Sequence, residues 1–443
     1  MVVFWPDDYL DQVARQVRVV RIREPLTAEL RDHMLSQKEE YLAAGLSEEE
    51  AERRTTEDMG NALLGGGELD AAHRPRTRWK GIAMTMLLLA LGLGIQVVNG
   101  MLAGCSVMDT LVGARALFTA FALAPLCLLA LTDYTHWIRW SLPIMVAWLI
   151  CMAHRLIPLQ RLIAYDPAIF RVMVPQVLAV SLPMVTALLA CRLRGRGRGA
   201  FAVCLLPCAA AILLCWEYRY TGYDIAPCML MAVLGLLVLI LAVRNGFFRI
   251  PRRWAYVLLF SLISLAVIFS ATRFNPQPSD GDMRRLIGAI LRGARPFGHS
   301  ANVTAVSDAW RRFIDMGYGM ADYMLPGIVA YVGWIPCALL TLGLAALLTW
   351  CVRRFSRLEN RMGALLGMTA ALTMCLQAVI YVPASFGLIG EHLSLPLLSY
   401  GHAILMVDAA LAGMMLGVLR GETLPEPAGT LQALRKSHFV TLE

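Results

Sequence analysis

The sequence predicts an all-α, polytopic membrane protein with a small helical domain ahead of its membrane part. Three observations lead there. Of 443 residues, 58% are hydrophobic and only 16% charged, with a mean hydropathy of +0.59. Apolar runs of about 20 residues, long enough to cross the hydrocarbon core of a bilayer, recur along the chain. Arginines gather in short stretches between alternate runs. A soluble chain of this length would suggest about three domains, but hydropathy overrides that prior.

Residues 1–80 are polar and read as a cytoplasmic helical unit, so no cleavable signal is expected. Leu26, Leu30, Met34 and Tyr41 fall near one face of a helix that ends at Gly45. Ser47 followed by Glu50 is a capping box for the next helix. Gly65-Gly66-Gly67 is read as the stretch that ends the helices. The segments Thr27-Ala28-Glu29-Leu30-Arg31-Asp32-His33, Ala44-Gly45-Leu46-Ser47 and Glu49-Glu50-Ala51-Glu52-Arg53-Arg54 resemble the permease-prefix domain of some bacterial membrane proteins. That resemblance implies a regulatory or assembly role. A solvated helical hairpin with a structural role explains the same residues.

Ten spans follow, near 81–103, 116–132, 137–154, 172–191, 199–216, 225–243, 254–271, 323–350, 363–387 and 397–419. Arg74, Arg76, Arg78 and Lys80 form a basic collar before the first. Arg192, Arg194, Arg196 and Arg198, then Arg244, Arg249, Arg252 and Arg253, then Arg353, Arg354, Arg357 and Arg361 mark three loops separated by two spans each. All therefore fall on one side, and basic short loops face the cytoplasm. Both termini, including the tail 420–443, are expected inside a bacterial plasma membrane. Because the net charge of +8 sits in these loops, it does not point to nucleic acid. The eleven cysteines include Cys127, Cys151, Cys204, Cys208 and Cys375 within apolar runs, where a free thiol acts as a small hydrophobe. No pair of them has convincing metal-ligand spacing.

The loop 272–322 falls outside yet carries seven arginines, at 273, 284, 285, 292, 295, 311 and 312. Met283, Leu286, Ile287, Ile290 and Leu291 follow the spacing of an amphipathic helix, which can lie flat on a membrane. Arg285 and Arg292 project from its other side, to meet lipid headgroups or a phosphate-bearing ligand. Asp322 opens the eighth span. A carboxylate at the membrane edge beside apolar residues is partly desolvated, which raises its pKa toward the range of a general base. A helix N-cap or a topology anchor would explain it equally.

The last apolar run opens on Leu395-Pro396-Leu397-Leu398-Ser399-Tyr400-Gly401 and contains Asp408. Irregular backbone at membrane depth is tolerated only where protein or a water-filled cavity satisfies it. An intramembrane carboxylate is a functional-site hypothesis by default. Ser399, Tyr400 and Asp408 are therefore candidates for a substrate cavity. Pairing of Asp408 with His402, or with an Arg or polar group of another span, is the structural alternative. Glu391 and His392 stand just outside.

Ser-Phe-Gly-Leu-Ile-Gly at 385–390, Leu-Pro-x-x-Ser-Tyr-Gly at 395–401 and Ala409-Ala410-Leu411-Ala412-Gly413 resemble the final-helix signature of the SEDS family, the shape, elongation, division and sporulation proteins. The family usually has Asn at the place of Asp408, and His402-Ala403-Ile404 replaces its further Gly and serines. Gly281-Asp282, Ala289-Ile290, Phe297-Gly298, Ala321-Asp322-Tyr323 and Gly333-Trp334-Ile335 resemble its large external loop and the start of its eighth helix. Met320-Ala321 departs from the family's His-Thr, Tyr323 replaces Phe, and Pro326 enters the helix. The resemblance implies a glycosyltransferase that polymerises a lipid-linked peptidoglycan precursor, with Asp322 as catalytic carboxylate. It also implies a class B penicillin-binding transpeptidase as partner and a divalent cation near the pyrophosphate, neither of which the residues themselves show. A non-catalytic scaffold or regulator of wall assembly, and a transporter of the lipid-linked precursor, are the rival readings.

Overall fold

Every regular element among the described residues is a helix, as the hydropathy predicts. The computed structural model describes residues 6–75, 77–103, 108–156, 168–218, 225–273, 281–303, 323–389, 393–399 and 402–422. The chain divides into two units, Met1–Thr77 with Arg420–Glu443, and Arg78–Leu419.

The first unit holds α1 (Asp7–Gln16), α2 (Val20–Ala43), α3 (Glu48–Met59) and α4 (Ala62–His73). Leu10, Val13, Val17 and Met34 are buried in it. The Ser47 side chain accepts from the Glu50 amide at 3.3 Å, so α3 starts at the expected cap. Gly45, with φ +90°, follows the end of α2. Lys38 bridges to Glu48 and Glu52 across the α2–α3 turn, and the Arg18 amide donates to Asp70 at 2.8 Å. One expectation needs correction: α4 runs straight through Gly65-Gly66-Gly67. A Cβ on Gly66 would lie 2.9 Å from Gln16 Cβ, so this glycine serves close packing of α1 on α4, not termination.

The second unit contains α5 (Trp79–Ala103), α6 (Met108–Leu131), α7 (Tyr134–Leu156), α8 (Ala168–Arg192), α9 (Arg198–Tyr218), α10 (Ile225–Arg244) and α11 (Arg252–Arg273). It continues with the short α12 (Gly281–Arg292) and α13 (Met324–Tyr331), then α14 (Trp334–Ser356), α15 (Arg361–Ser385) and α16 (His402–Arg420). Eight of the ten expected spans coincide with a single helix. Five helices are long and apolar enough to cross a membrane within the described residues: Trp79–Asn99, Tyr134–Ala153, Trp334–Ser356, Arg361–Ser385 and Ala403–Arg420. The protein is therefore an integral membrane protein. The central helix is α8, packed on α7, α9, α10 and α15. Its residues are buried almost without a break from Leu178 to Cys191, because a helix apolar all round finds protein on every side. In contrast α14 leaves Leu339, Leu342 and Trp350 exposed, as a lipid-facing helix does.

The basic loops meet at one end of this unit. The Gly195 amide donates to Phe247 O at 2.7 Å and the Arg249 amide to Arg196 O at 2.9 Å. The Arg361 guanidinium donates to Asn245 O at 3.1 Å. Asn360 donates to the Tyr134 hydroxyl at 2.6 Å and caps α15 by accepting from the Gly363 amide at 3.1 Å.

Two spans differ from expectation, and both differences lie at the opposite end. The eighth is not one helix from 323 to 350 but α13 followed by α14, broken at Val332-Gly333. The tenth is helical only from His402, and 395–399 precedes it as irregular chain.

Candidate functional site

The break in the eighth span is filled by the chain that follows α12. This helix forms as its periodicity predicts, with Ile287 and Ile290 buried and α13 as its neighbour. Part of the apolar face read as lipid-directed is therefore covered by protein. Ser300 Oγ donates to Ile290 O at 2.7 Å and Asn302 Nδ2 to Ala289 O at 2.8 Å, so side chains cap carbonyls of the last turn. The Gly298 and Ser300 amides donate to Val332 O and Ala330 O, both at 2.8 Å. From the other side, the Trp334 and Ile335 amides donate to Arg295 O and Pro296 O at 3.0 and 3.1 Å. Main chain thus replaces the bonds that an unbroken helix would have made. Gly333 has φ +111° and ψ 177°, a region essentially restricted to glycine, and a Cβ there would sit 2.6 Å from Pro296 O.

α13 begins at Met324, its cap position is Tyr323, and the Met324 amide donates to the Tyr381 hydroxyl at 3.2 Å. Pro326 sits in the first turn, where its missing N–H costs no helical bond. The cap position is thus one residue past Asp322. Asp322 itself, Tyr400, Glu391, His392 and residues 274–280, 304–321 and 423–443 lie outside the described residues.

The irregular segment before α16 is held from two helices and by Asp408. Gln96 of α5 donates to Leu398 O at 3.0 Å. Asp408 Oδ2 accepts from the Leu397 amide at 3.2 Å, and its Oδ1 accepts from Gln377 of α15 at 3.1 Å. Leu397 has φ +64°, unusual for a branched residue, so the segment is held in a strained conformation. The Leu398 backbone runs so close to α5 that a Cβ on Gly92 would overlap Leu398 O. Gln96, Gln377, Ser399 and Asp408 are all at least 98% buried. Gln96 Oε1, Gln377 Oε1, Ser394 Oγ and Ser399 Oγ are buried without a hydrogen-bond partner among the described residues.

The structure therefore brings Ser399 and Asp408 into one buried polar cluster. Of the structural alternatives for Asp408, the polar group from another span is realised, as Gln377. Arg285 and Arg292 instead remain exposed on α12, and Arg292 Nε donates to Gly288 O of its own helix. The arginine that reaches the neighbouring segment is Arg284, whose Nε donates to Gly387 O at 3.1 Å. Sequence reasoning passed it over, although it lies three residues before the buried Ile287 and so shares that face. Gln96 and Gln377 were also missed. Each is a lone amide in an apolar run, and only proximity to unwound chain gives it a task. Trp334 stacks on Phe386 with ring centroids 5.7 Å apart. This contact and that of Arg284 join the two regions that carry the SEDS resemblance. No group of three or more His, Cys, Asp or Glu able to hold a metal occurs among the described residues.

These features define a polytopic α-helical membrane protein with two interrupted spans, the eighth repaired by main chain and the tenth held by a buried polar cluster. No family profile matches the chain, and no curated relative matches it. Among solved structures, it is similar to a single-residue variant of the rod shape determining protein RodA from Thermus thermophilus. Identity is 17%, over 76% of this chain and 97% of that one, with a TM-score of 0.49. It is similar also to a peptidoglycan synthase complex described as coordinating polymerization and crosslinking, at 17% identity over 76% and 97% of the two chains, with a TM-score of 0.47.

Proposed function

We propose that this chain is a divergent SEDS glycosyltransferase that polymerises lipid-linked disaccharide, lipid II, at the outer face of the bacterial plasma membrane. The observation that carries the reading is the meeting of 281–335 with 385–417, through Arg284 on Gly387 O and Trp334 on Phe386. Two motif regions far apart in sequence, each resembling the same family, contact each other at the end opposite the basic loops. In this reading Asp322 takes the proton of the acceptor hydroxyl. The freed oxygen attacks the anomeric carbon of the donor, the bond from that carbon to the pyrophosphate oxygen breaks, and undecaprenyl pyrophosphate leaves. Arg285 and Arg292, exposed on α12, would meet its charge. Asp408 supports the shape of the segment that leads to Ser399 and Tyr400, the candidates for the substrate cavity. A class B penicillin-binding transpeptidase would be the partner. A divalent cation near the pyrophosphate belongs to the same reading, and no step is assigned to it.

The test is polymerisation of purified lipid II by the parent and by Asp322→Asn, each with its transpeptidase partner. Asn keeps the size and much of the hydrogen bonding but cannot act as a carboxylate base. General-base catalysis contributes about 10²–10⁴-fold, so activity should fall by that much with folding unchanged. Parent-level polymerisation by the variant eliminates the mechanism. An inactive parent favours the scaffold reading, and movement of precursor without polymer favours transport. Orientation is tested separately, with reporter cysteines at the exposed positions 196 and 299 in a cysteine-free chain. An impermeant thiol reagent should label 299 and spare 196 from outside, and the reverse pattern would invert the proposed topology.

A further inference from the structure

The basic end of the membrane unit carries a groove that plays no part in the proposed chemistry. α9 and α11 both pack on α10, and between their first turns lies a cavity of about 550 Å³. Its walls are apolar, with Ala202 and Leu205 from α9 and Trp254 and Leu258 from α11. Phe201, another lining residue, meets Phe248 edge to face at 5.4 Å, and both rings are buried. The rim is basic. Arg198 lines the groove, and in sequence Arg252 and Arg253 fall between its lining residues Pro251 and Trp254, at the first turn of α11. All three are exposed, and none is ion-paired among the described residues. The main-chain bonds Gly195 to Phe247 and Arg249 to Arg196 brace the two loops from which these arginines spring. Trp254 and Leu258 of its wall and the neighbouring Leu206 are exposed, so it opens onto the apolar flank of the bundle.

We propose that this groove binds one anionic phospholipid from the leaflet at the basic end. Its acyl chain lies along Leu205 and Leu258, and its phosphate-bearing headgroup lies against Arg198, Arg252 and Arg253. Charge complementarity selects the occupant. A guanidinium lining an apolar cleft, with two more exposed in the first turn of α11 and none of the three ion-paired among the described residues, matches a molecule that joins a phosphate to a hydrocarbon chain. A net negative headgroup is required, because in a zwitterionic lipid the ammonium offsets the phosphate. A soluble phosphate would leave the apolar walls wet. A transmembrane helix, about 10–12 Å across, would fill the cleft with apolar side chains and leave the arginines without anions.

The experiment uses the full chain in a zwitterionic detergent, with bound lipid counted by native mass spectrometry during titration with phosphatidylglycerol or phosphatidylcholine. One phosphatidylglycerol should be retained at concentrations where phosphatidylcholine is not. Each basic residue near a membrane contributes about 1 kcal/mol, or about fivefold. Combined Arg198→Gln, Arg252→Gln and Arg253→Gln should therefore weaken phosphatidylglycerol by about 100-fold. Ala202→Trp fills the groove without touching the rim, and should also lose the lipid while melting like the parent when lipid-free. Equal retention of both lipids by the parent overturns the headgroup assignment. Unchanged phosphatidylglycerol binding in Ala202→Trp overturns the groove. Displacement by inorganic phosphate at matched ionic strength overturns the acyl-chain contact. If the triple variant fails to fold, the parent's lipid preference and the Ala202→Trp result still decide.

Discussion

At one end of the membrane unit, loops are short, basic and tied main chain to main chain, whereas at the other, helices break and polar side chains are buried to repair them. The first end joins 195–196 to 247–249 and carries its charges outward. The second breaks the eighth span at Gly333, unwinds the start of the tenth, and brings Gln96, Gln377 and Asp408 in to hold the result. A bundle that only had to span a membrane would need the first arrangement twice. Buried polar groups and a strained Leu397 persist only when surrounding structure over-determines them. Such strain gathers where chemistry or recognition occurs, which is why the second end is the candidate site.

The difference can be tested by substitution. Asp322→Asn carries the largest expected effect, the loss of about 10²–10⁴-fold in polymerisation argued above. Next is Gly333→Ala. The residue would be forced into a glycine-only conformation, a strain of about 1–3 kcal/mol, with its Cβ against the backbone of Pro296 and Phe297. Thermal unfolding in detergent should fall clearly below the parent. An unchanged melting temperature would mean that the break is not fixed as described.

Asp408 yields a paired prediction. Asp408→Ala leaves the Leu397 amide and the Gln377 side-chain amide without this acceptor, each costing about 1–3 kcal/mol when buried. Asp408→Asn should cost about 1 kcal/mol or less. Its oxygen can accept from Leu397, and its NH₂ can donate to Gln377 once that amide flips its Oε1 inward, an oxygen now without a partner. Asn is also the residue that the SEDS resemblance implies at this place. Equal damage from both substitutions in a melting assay would show that the charge itself is needed. The hydrogen-bond account would then fail.

The two ends also differ in how legible they are in the sequence. Span count and the grouping of basic loops follow from hydropathy and arginine position, because both are properties of single segments. The amphipathic face of α12 is legible for the same reason. What could not be read are the features that depend on two segments at once. Gly333 looks like any glycine in an apolar run until 295–300 lies beside it. Arg284 could be separated from Arg285 only by asking which shares the face of Ile287. Gln96 and Gln377 have no local signature, because their partners are 302 and 31 residues away. Asp408 was conspicuous as an acid in an apolar span, yet its role as a clip for Leu397 needed the turn in place. The glycine triplet 65–67 misled for the complementary reason: glycine as a helix breaker is a local rule, and close packing of α1 on α4 overrode it at Gly66.

The smallest effect is expected at the basic end. Arg361 is exposed and donates to Asn245 O, a carbonyl that water can serve instead. The joins between 195–196 and 247–249 involve only main chain and survive its loss. Asn360 still caps α15 through its own Oδ1. Arg361→Gln should therefore change stability by no more than about 0.5 kcal/mol, the usual range for a surface site. Its charge matters in another way, since arginines of short loops set the side on which those loops stay. With Arg353, Arg354 and Arg357 retained, one substitution should leave orientation as it is. Thermal melting and impermeant-thiol labelling of a cysteine at 196 would both match the parent. A large drop in melting temperature would show that this end, too, depends on a specific side-chain bond, and the contrast between the two ends would dissolve.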